Sequence, residues 1–303
     1  MKIIETIGGT PLVQLQHIGE GRIFVKLEKT NPGGSIKDRP ALRMIQDAIE
    51  RGDLRPGMKI VEPTSGNTGV ALSIIGKSLG YEVEIYMPAS MSVERVRMME
   101  SFGAKVILVT EGGLQGAVNQ ARAEAAKGNA YMPDQFSNPS NVKAHEISTG
   151  PEIIKALPDV AGFVAGVGTG GTVTGVGHAL KAHDPDVKIY ALEPEESPIL
   201  SRGQAGAHLI QGIAGNVVPK ILDRDILDKI ISVTSEEALE MARRLSREEG
   251  LSVGISSGAN VAGALKMLKD VTGKIATVAP DLGERYLSTK LFAESTNRSK
   301  ESV

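Results

Sequence analysis

The sequence predicts an α/β protein built on parallel sheets. Short runs of β-branched residues alternate with stretches of helical periodicity, and glycine clusters stand where a run meets a stretch. This alternation brings successive strands together in parallel and leaves the helices to cover both faces of the sheet. A chain of 303 residues is typical of two domains of roughly 150 residues each.

The predicted strands are short runs rich in Val and Ile that end at Gly, Pro or polar residues. They are Arg22–Glu28, Lys59–Pro63, Glu82–Met87, Lys105–Thr110, Gly162–Gly166, Val187–Leu192, Lys229–Val233 and Lys274–Ala279. The predicted helices have apolar residues three and four positions apart. They are Pro40–Glu50, Gly69–Leu79, Ser92–Phe102, Gly116–Lys127, Thr172–His183 and Ser235–Glu249. Ser235 is predicted to be the N-cap of the last helix.

The segment Tyr131–Gly150 is rich in Asn, Pro and Ser and has weaker periodicity. We expect it to form the boundary between two α/β halves. The C-terminal residues Glu294–Val303 are polar and are expected to be frayed, with residues 297–303 disordered.

The composition excludes several classes of function. The chain has no cysteine, which excludes disulfides, thiolate zinc sites and cysteine nucleophiles, and its net charge of −2 argues against a broad nucleic-acid or anionic-membrane surface. The five histidines lack the spacing of metal ligands, so no metal site is expected. No apolar run approaches the roughly 20 residues of a membrane-spanning helix, and no secretory signal is visible. A cytoplasmic protein is therefore expected.

The glycine cluster Gly166–Thr172 lies between a predicted strand and a predicted helix. Free N–H groups and hydroxyls at such a helix N-terminus favour a phosphate site, although a tight turn without ligand is the alternative. Gly166, Gly168 and Gly171 also match G-x-G-x-x-G, and the strand Val187–Leu192 ends at Glu193, as a nicotinamide-dinucleotide site requires.

Two further clusters precede helices or turns. The loop Thr64–Gly69 carries more hydroxyls and amides than a helix cap needs, which favours a carboxylate or phosphate site over a well-capped helix. The cluster Gly254–Gly258 matches the G-x-S-x-G elbow of α/β hydrolases. That fold needs a histidine after the serine, and the last histidine is His208, so Ser256 is interpreted as a ligand contact or a turn residue.

Lys37 lies in the turn-forming run Asn31–Arg39, at the start of a predicted helix. A lysine at a helix N-terminus has a depressed pKa if it is also partly buried, and that makes an amine nucleophilic. Alone, the residue is interpreted as a surface lysine. With two anion-binding loops it becomes a candidate Schiff-base lysine.

These motifs, in this order, resemble the fold-type II pyridoxal-phosphate enzymes, and within them the cysteine synthase/cystathionine β-synthase family. The resemblance covers nearly the whole chain. It continues through Ile7–Leu12, Met87–Pro88, Met91–Arg95, Asp134–Phe136, Thr149–Glu152 and Gly283–Thr289.

The resemblance implies two three-layer α/β domains of the tryptophan synthase β-like architecture, with pyridoxal 5′-phosphate in the cleft between them. Residues 38–143 would form a smaller, mobile domain, and residues 1–37 and 144–296 a larger one. The implied reaction converts O-acetyl-L-serine and sulfide to L-cysteine and acetate through an α-aminoacrylate. We hypothesise that a carboxylate docked on the loop Thr64–Thr68 closes the smaller domain.

The resemblance also implies residue roles. Lys37 would hold the cofactor as a Schiff base and transfer protons, Asn67 would bind its phenolic oxygen, and Ser256 would face its pyridine nitrogen. The implied phosphate cradle is Gly168, Thr169, Gly170, Gly171 and Thr172. The implied substrate-carboxylate site is Thr64, Ser65, Asn67, Thr68 and Gln135.

Some positions depart from the family pattern. Gly212–Asn216 reads Gly-Ile-Ala-Gly-Asn where the family has Gly-Ile-Gly-Ala-Gly, Pro40 follows the lysine motif, and Arg202 stands where a phosphate-binding arginine could fall. O-phosphoserine, thiosulfate, cystathionine or lanthionine chemistry therefore stays open. The resemblance implies a homodimer and a binding site for the C-terminal tail of serine acetyltransferase. A binding protein without activity is a further alternative, which the intact Lys37 argues against.

Overall fold

The computed structural model describes residues 1–91, 93–215 and 217–292. Its strands are β1 Leu12–Gln14, β2 Ile23–Lys26, β3 Lys59–Pro63, β4 Glu82–Pro88, β5 Lys105–Val109, β6 Ala130–Tyr131, β7 Val160–Gly166, β8 Lys188–Pro194, β9 Lys229–Val233 and β10 Lys274–Val278. Its α-helices are α1 Asp38–Arg51, α2 Asn67–Leu79, α3 Val93–Ser101, α4 Gly113–Ala125, α5 Pro139–Ala144, α6 Gly150–Ala156, α7 Gly171–His183, α8 Ile199–Arg202, α9 Ser235–Glu249 and α10 Ile255–Met267. A π-helix, His145–Thr149, joins α5 to α6.

The strands form two sheets. The larger sheet has six strands in the order β1-β2-β10-β7-β8-β9, and the smaller has four in the order β5-β4-β3-β6. Strand β1 is antiparallel to β2, and the other neighbouring strands are parallel. The predicted parallel sheets are confirmed, and their ends differ from the predicted strands by one or two residues where they differ at all.

Both sheets are covered on two faces. In β7, Val164 packs against a cluster that includes α9 and α10, while its neighbours Phe163 and Ala165 pack against a cluster that includes α6 and α7. This alternation is the period of two that a strand with both faces buried shows. In the smaller sheet, helices α1, α2 and α3 cover one face and α4 the other.

The elements that sequence periodicity missed are short or wholly buried. Helices α5 and α6 and the π-helix occupy the weakly periodic segment before β7. Helix α10 is buried on nearly every side, so it has no polar face to create a helical pattern. The predicted turn Gly254–Gly258 is therefore the N-cap and first turn of a helix.

The predicted cap of α9 was wrong by one residue. Thr234 is the N-cap, and its hydroxyl accepts a hydrogen bond from the N–H of Glu237 at 3.1 Å. The Glu237 carboxylate accepts in return from the Thr234 N–H at 2.8 Å, which completes a capping box. Ser235 is the first helical residue, and its hydroxyl accepts from the N–H of Leu209 instead.

The division into domains remains a proposal. We propose that residues 38–143 form one domain, and residues 1–37 and 144–296 the other. The proposal is supported by β3–β6 and α1–α4, which all lie within residues 38–143, whereas every strand of the larger sheet lies outside them. The predicted helix start at Ser92 and the predicted disordered residues 297–303 lie outside the described residues. Within the described ranges, no helix is long and apolar enough to cross a membrane.

Candidate active site

A cavity of about 240 Å³ lies where the carboxyl ends of strands from the two sheets meet. Its walls come from the segments that follow β3, β7 and β10, which is where parallel α/β sheets bind ligands. Most of the sequence-predicted site residues line it: Lys37, Thr64, Asn67, Thr68, Gln135, Gly168, Thr169, Gly170, Thr172 and Ser256.

Three of the residues considered in the sequence do not line this cavity. Ser65 lines an adjoining cavity, and its carbonyl accepts a hydrogen bond from Arg95 Nη1 at 2.9 Å. Gly171 is the first residue of α7, and its N–H donates to Thr169 Oγ1 at 3.4 Å. Arg202 is the exposed last residue of α8 and is not on the cavity wall.

Lys37 is positioned by the turn that precedes α1. The N–H of Ile36 donates to the Pro280 carbonyl at 2.8 Å, and the N–H of Lys37 donates to Ser35 Oγ at 3.2 Å, so the turn is tied to the end of β10. The side chain is half-buried, and no described residue hydrogen bonds its ammonium group. Burial lowers the pKa of Lys37 to about 8, against the opposing charge of Asp281. A far larger fraction of this amine is therefore neutral, and nucleophilic, near neutral pH than in a solvated lysine.

Helix α2 begins two residues earlier than predicted, which places Asn67 and Thr68 in its first turn. Asn67 Nδ2 donates to Asp281 Oδ2 at 2.7 Å, and Asn67 Oδ1 accepts from Arg285 Nη1. Thr68 Oγ1 donates to Gln135 Oε1 at 2.7 Å. Hydroxyls, an amide and the unpaired N–H groups of a helix start therefore converge on one side of the cavity, as an anion site requires.

Asp281 and Arg285 were missed as site residues, although both lie just after the predicted strand Lys274–Ala279. Asp281 is 2% exposed and also accepts from the hydroxyl of Tyr286 at 2.7 Å, and burial raises its pKa. Its Oδ1 has no hydrogen-bond partner among the described residues. The signal available in the sequence was their position at the carboxyl end of a strand.

The turn between β7 and α7 forms a cradle for a phosphate. Gly170 is the N-cap of α7, with a φ of +86° that favours glycine. A Cβ on Gly168 would lie 2.6 Å from the carbonyl oxygen of Gly212, so the turn can pack against the backbone of Gly212 only because position 168 has no side chain. The start of α7 supplies N–H groups and a positive dipole end.

Two buried residues from the weakly periodic segment hold this cradle in place, and both were missed. Asn141 Nδ2 donates to Thr169 Oγ1 at 3.0 Å. His145 Nε2 lies 3.3 Å from Thr172 Oγ1, and its Nδ1 lies 2.9 Å from Thr149 Oγ1. Burial, together with the charges of Arg39 and Lys37, holds the pKa of His145 well below its ordinary value, so the ring is neutral.

Ser256 is in the first turn of α10, is 4% exposed and faces the cavity from the larger sheet. No histidine among the described residues hydrogen bonds it, which agrees with the exclusion of a hydrolase triad. The donor set of the cavity is thus a depressed-pKa amine, a phosphate cradle and a buried hydroxyl. This set fits a phosphorylated pyridine aldehyde. Within the described residues no cluster of three or more His, Asp or Glu side chains could hold a metal ion.

Comparison with known proteins identifies the class. The family model described as "Pyridoxal-phosphate dependent enzyme" matches residues 3–281, so the chain belongs to that family and its cofactor is pyridoxal 5′-phosphate. This decides against the nicotinamide alternative for Gly166–Thr172.

Within the family the chain is similar to cysteine synthases. It is 47% identical to cysteine synthase A of Escherichia coli (strain K12) over 305 residues, covering 95% of this chain and 94% of that protein. It matches the crystal structure of cysteine synthase from Entamoeba histolytica with a TM-score of 0.91 and 41% identity, over 99% of this chain and 92% of that one. It also matches that of O-ureido-L-serine synthase with a TM-score of 0.93 and 40% identity, over 99% and 96% of the two chains.

The departure from the family pattern lies on the cavity wall. Gly212, Ile213, Ala214 and Gly215 all line the cavity, and Ala214 has a φ of +51°, in the region that favours glycine. Its N–H donates to the Val167 carbonyl at 2.8 Å, which ties this loop to the segment before the phosphate cradle. Asn216 lies outside the described residues.

Proposed function

We propose that the protein forms L-cysteine from O-acetyl-L-serine and sulfide and releases acetate. The observation that carries the proposal is one cavity in which a lysine with a pKa of about 8, a phosphate cradle and an anion site lie together. The similarity to cysteine synthases supports the choice of substrates.

The predicted site residues that surround the cavity have tasks in this reaction. When bound, pyridoxal phosphate supplies an electron sink for the α carbon of the substrate. Lys37 holds the cofactor aldehyde and then takes the α proton of the substrate. The cradle Gly168–Thr172 binds the phosphate, and Asn67 donates to the phenolic oxygen.

The neutral hydroxyl of Ser256 favours loss of a β leaving group. A hydroxyl at the pyridine nitrogen cannot hold a proton there as a carboxylate would, so the electron sink stays moderate. The carboxylate of the substrate is bound by Thr64, Asn67, Thr68 and Gln135 on the cavity wall, whereas Ser65 of the same loop lines the adjoining cavity. Docking of the carboxylate on this loop closes the smaller domain. Closure excludes water from the reacting atoms.

A second candidate uses the same site with another donor or nucleophile, such as O-phosphoserine, thiosulfate, homocysteine or cysteine. It is favoured by Ala214, which replaces a glycine of the family pattern on the cavity wall. We propose further that the protein is a cytoplasmic homodimer and that its cavity can bind the C-terminal tail of serine acetyltransferase; the family resemblance supports the homodimer and the tail site.

The test is a visible absorbance spectrum of the purified protein. We expect a cofactor band that shifts on addition of O-acetylserine and returns on addition of sulfide, with L-cysteine as product. Lys37→Ala should lack the covalently held cofactor and the response. If the band does not change with O-acetylserine but shifts with O-phosphoserine, the substrate is O-phosphoserine and not O-acetylserine. A protein that stays colourless with added pyridoxal phosphate would contradict the role of Lys37.

A further inference from the structure

Glu62 is a buried carboxylate that no role in the reaction has yet used. It precedes the last residue of β3 and is 1% exposed. Its Oε2 accepts a hydrogen bond from the N–H of Asp134 at 3.0 Å, and its Oε1 accepts from the N–H of Gln135 at 3.3 Å. Burial raises the pKa of Glu62 to about 8, against these two hydrogen bonds. A carboxyl group is costly to bury in either protonation state unless its hydrogen bonds are made, so its contacts need an explanation.

The two N–H groups belong to an unusual turn. Asp134 has a φ of +50°, which few residues other than glycine adopt and which Asp tolerates better than most. Its carbonyl accepts from the N–H groups of Ser137 and Asn138, both at 3.0 Å. The Glu62 carboxylate thus binds two successive N–H groups of a turn whose backbone conformation is strained.

Gln135 is held by three partners at once. Its N–H is bound by Glu62, its carbonyl accepts from Asn141 Nδ2 at 2.9 Å, and its side-chain Oε1 accepts from Thr68 Oγ1 at 2.7 Å. Glu62 is also two residues before Thr64, where the loop that carries Thr68 begins. One carboxylate therefore connects both segments of the anion site, although it does not itself line the cavity.

We propose that Glu62 is a positioning residue, which holds Gln135 against Thr68 so that together they recognise the carboxylate of an amino-acid substrate. This inference rests on the proposed function of the site. A carboxyl group suits the task in either protonation state because each of its two oxygens can accept from an N–H, whereas an amide offers one oxygen and would turn its NH₂ group toward the second N–H.

The test compares two ligands that differ only in a carboxylate. L-methionine and 3-(methylthio)propylamine are titrated into the holoenzyme by isothermal titration calorimetry, and the ratio of their dissociation constants measures carboxylate recognition. In Glu62→Gln we expect this ratio to fall at least tenfold, while the affinity for the amine changes less than twofold. The KM for O-acetylserine should rise with little change in kcat, as expected for lost substrate binding.

Glu84→Gln is the matched control. Glu84 is also a buried acid of the smaller sheet, at 8% exposure, but its carboxylate pairs with Lys59 at 2.9 Å and Lys105 at 3.1 Å rather than with the Asp134 turn. It should leave the ratio unchanged even where it lowers the melting temperature. If Glu62→Gln gives no holoenzyme, Glu62→Asp is the second variant. It retains the carboxyl group but is one methylene too short to reach both N–H groups, so the same fall in the ratio is expected.

Other results would overturn the inference. An unchanged ratio in a folded Glu62 variant would contradict it, and so would an equal loss of affinity for both ligands. The readout does not need turnover: a wild-type protein that prefers L-methionine to the amine but does not consume O-acetylserine would contradict the proposed function and leave the role of Glu62 measurable.

Discussion

Lys37 owes its chemistry to its surroundings more than to its type. A solvated lysine stays protonated near neutral pH, whereas burial brings the pKa of Lys37 down to about 8. Asp281 is the buried carboxylate that opposes this shift, and it lines the same cavity. The balance between burial and this one charge sets how much neutral amine is present to react.

The depressed pKa of Lys37 has a consequence for the stability of the cofactor-free protein. The folded pKa is about 8 and the ordinary value is 10.5, so between these pH values the unfolded chain binds more protons than the folded one. The free energy of unfolding therefore rises as the pH climbs from 8 to 10.5, by up to about 3 kcal/mol from this group. Urea titrations across this range should show a smaller rise in Lys37→Met. Parallel curves for both proteins would contradict the assignment.

Among elements, the turn between β7 and α7 decides whether a phosphate can be held. In Gly168→Ala the new methyl group would meet the main-chain oxygen of Gly212, which a side-chain rotation cannot relieve. We expect the affinity for pyridoxal phosphate to fall at least tenfold, measured by absorbance after dialysis.

Gly177→Ala is the control for this change. It lies in the interior of α7, and the atoms nearest to its Cβ would be in the side chains of Ile189 and Ile226, at 3.3 Å. Alanine favours the helix by up to about 1 kcal/mol, which offsets this tight contact. Cofactor affinity should stay within twofold of wild type. Equal losses in the two variants would mean that the turn is not the phosphate cradle.

At the scale of the whole molecule, a network of buried charges connects the larger sheet to α1. Arg39, 4% exposed, donates from Nε to Glu28 Oε2 at 2.7 Å and from Nη2 to Glu152 Oε2 at 2.7 Å. Glu152 in turn pairs with Lys26 of β2 at 2.7 Å. Because Arg39 is two residues after Lys37, this network also anchors the start of the helix that carries the reactive amine.

Removal of the guanidinium should destabilise the whole fold. Arg39→Lys cannot make both carboxylate contacts, so a fully buried Glu28 loses part of its compensation; we expect a loss of roughly 3 kcal/mol in the free energy of unfolding, measured by urea titration. Arg51, the last residue of the same helix, makes an exposed pair with Asp53, and Arg51→Lys should cost less than about 1 kcal/mol. Equal losses in the two variants would contradict the conclusion that the buried network stabilises the fold more than an exposed ion pair does.

The same network predicts acid sensitivity. Burial alone would raise the pKa of Glu152, but hydrogen bonds from Arg39 and Lys26 hold it at about 2, below its ordinary 4.5. Its contribution is therefore present above pH 4.5 and lost as the pH falls from 4.5 to 2. Glu152→Gln should lose less stability across this window than the wild-type protein.

The local features of this protein were decided by the sequence itself. The strands, the amphipathic helices and the glycine turns follow from periodicity and turn chemistry within a dozen residues, and so do the positions of Lys37, Thr64–Gly69 and Gly168–Thr172 at helix starts. Helix α10 was not predicted because burial on nearly every side removes the polar face on which helical periodicity depends.

The partners of these groups were decided only by the tertiary structure. Asn67 binds Asp281 across 214 positions of sequence, and Gln135 binds Glu62 across 73. The residues next to each partner in the chain do not predict such a pair. The position of a buried acidic side chain depends on how the two sheets pack and not on its neighbours in the sequence. The sequence determined which residues can react, and the fold determined which charges and hydrogen bonds surround them.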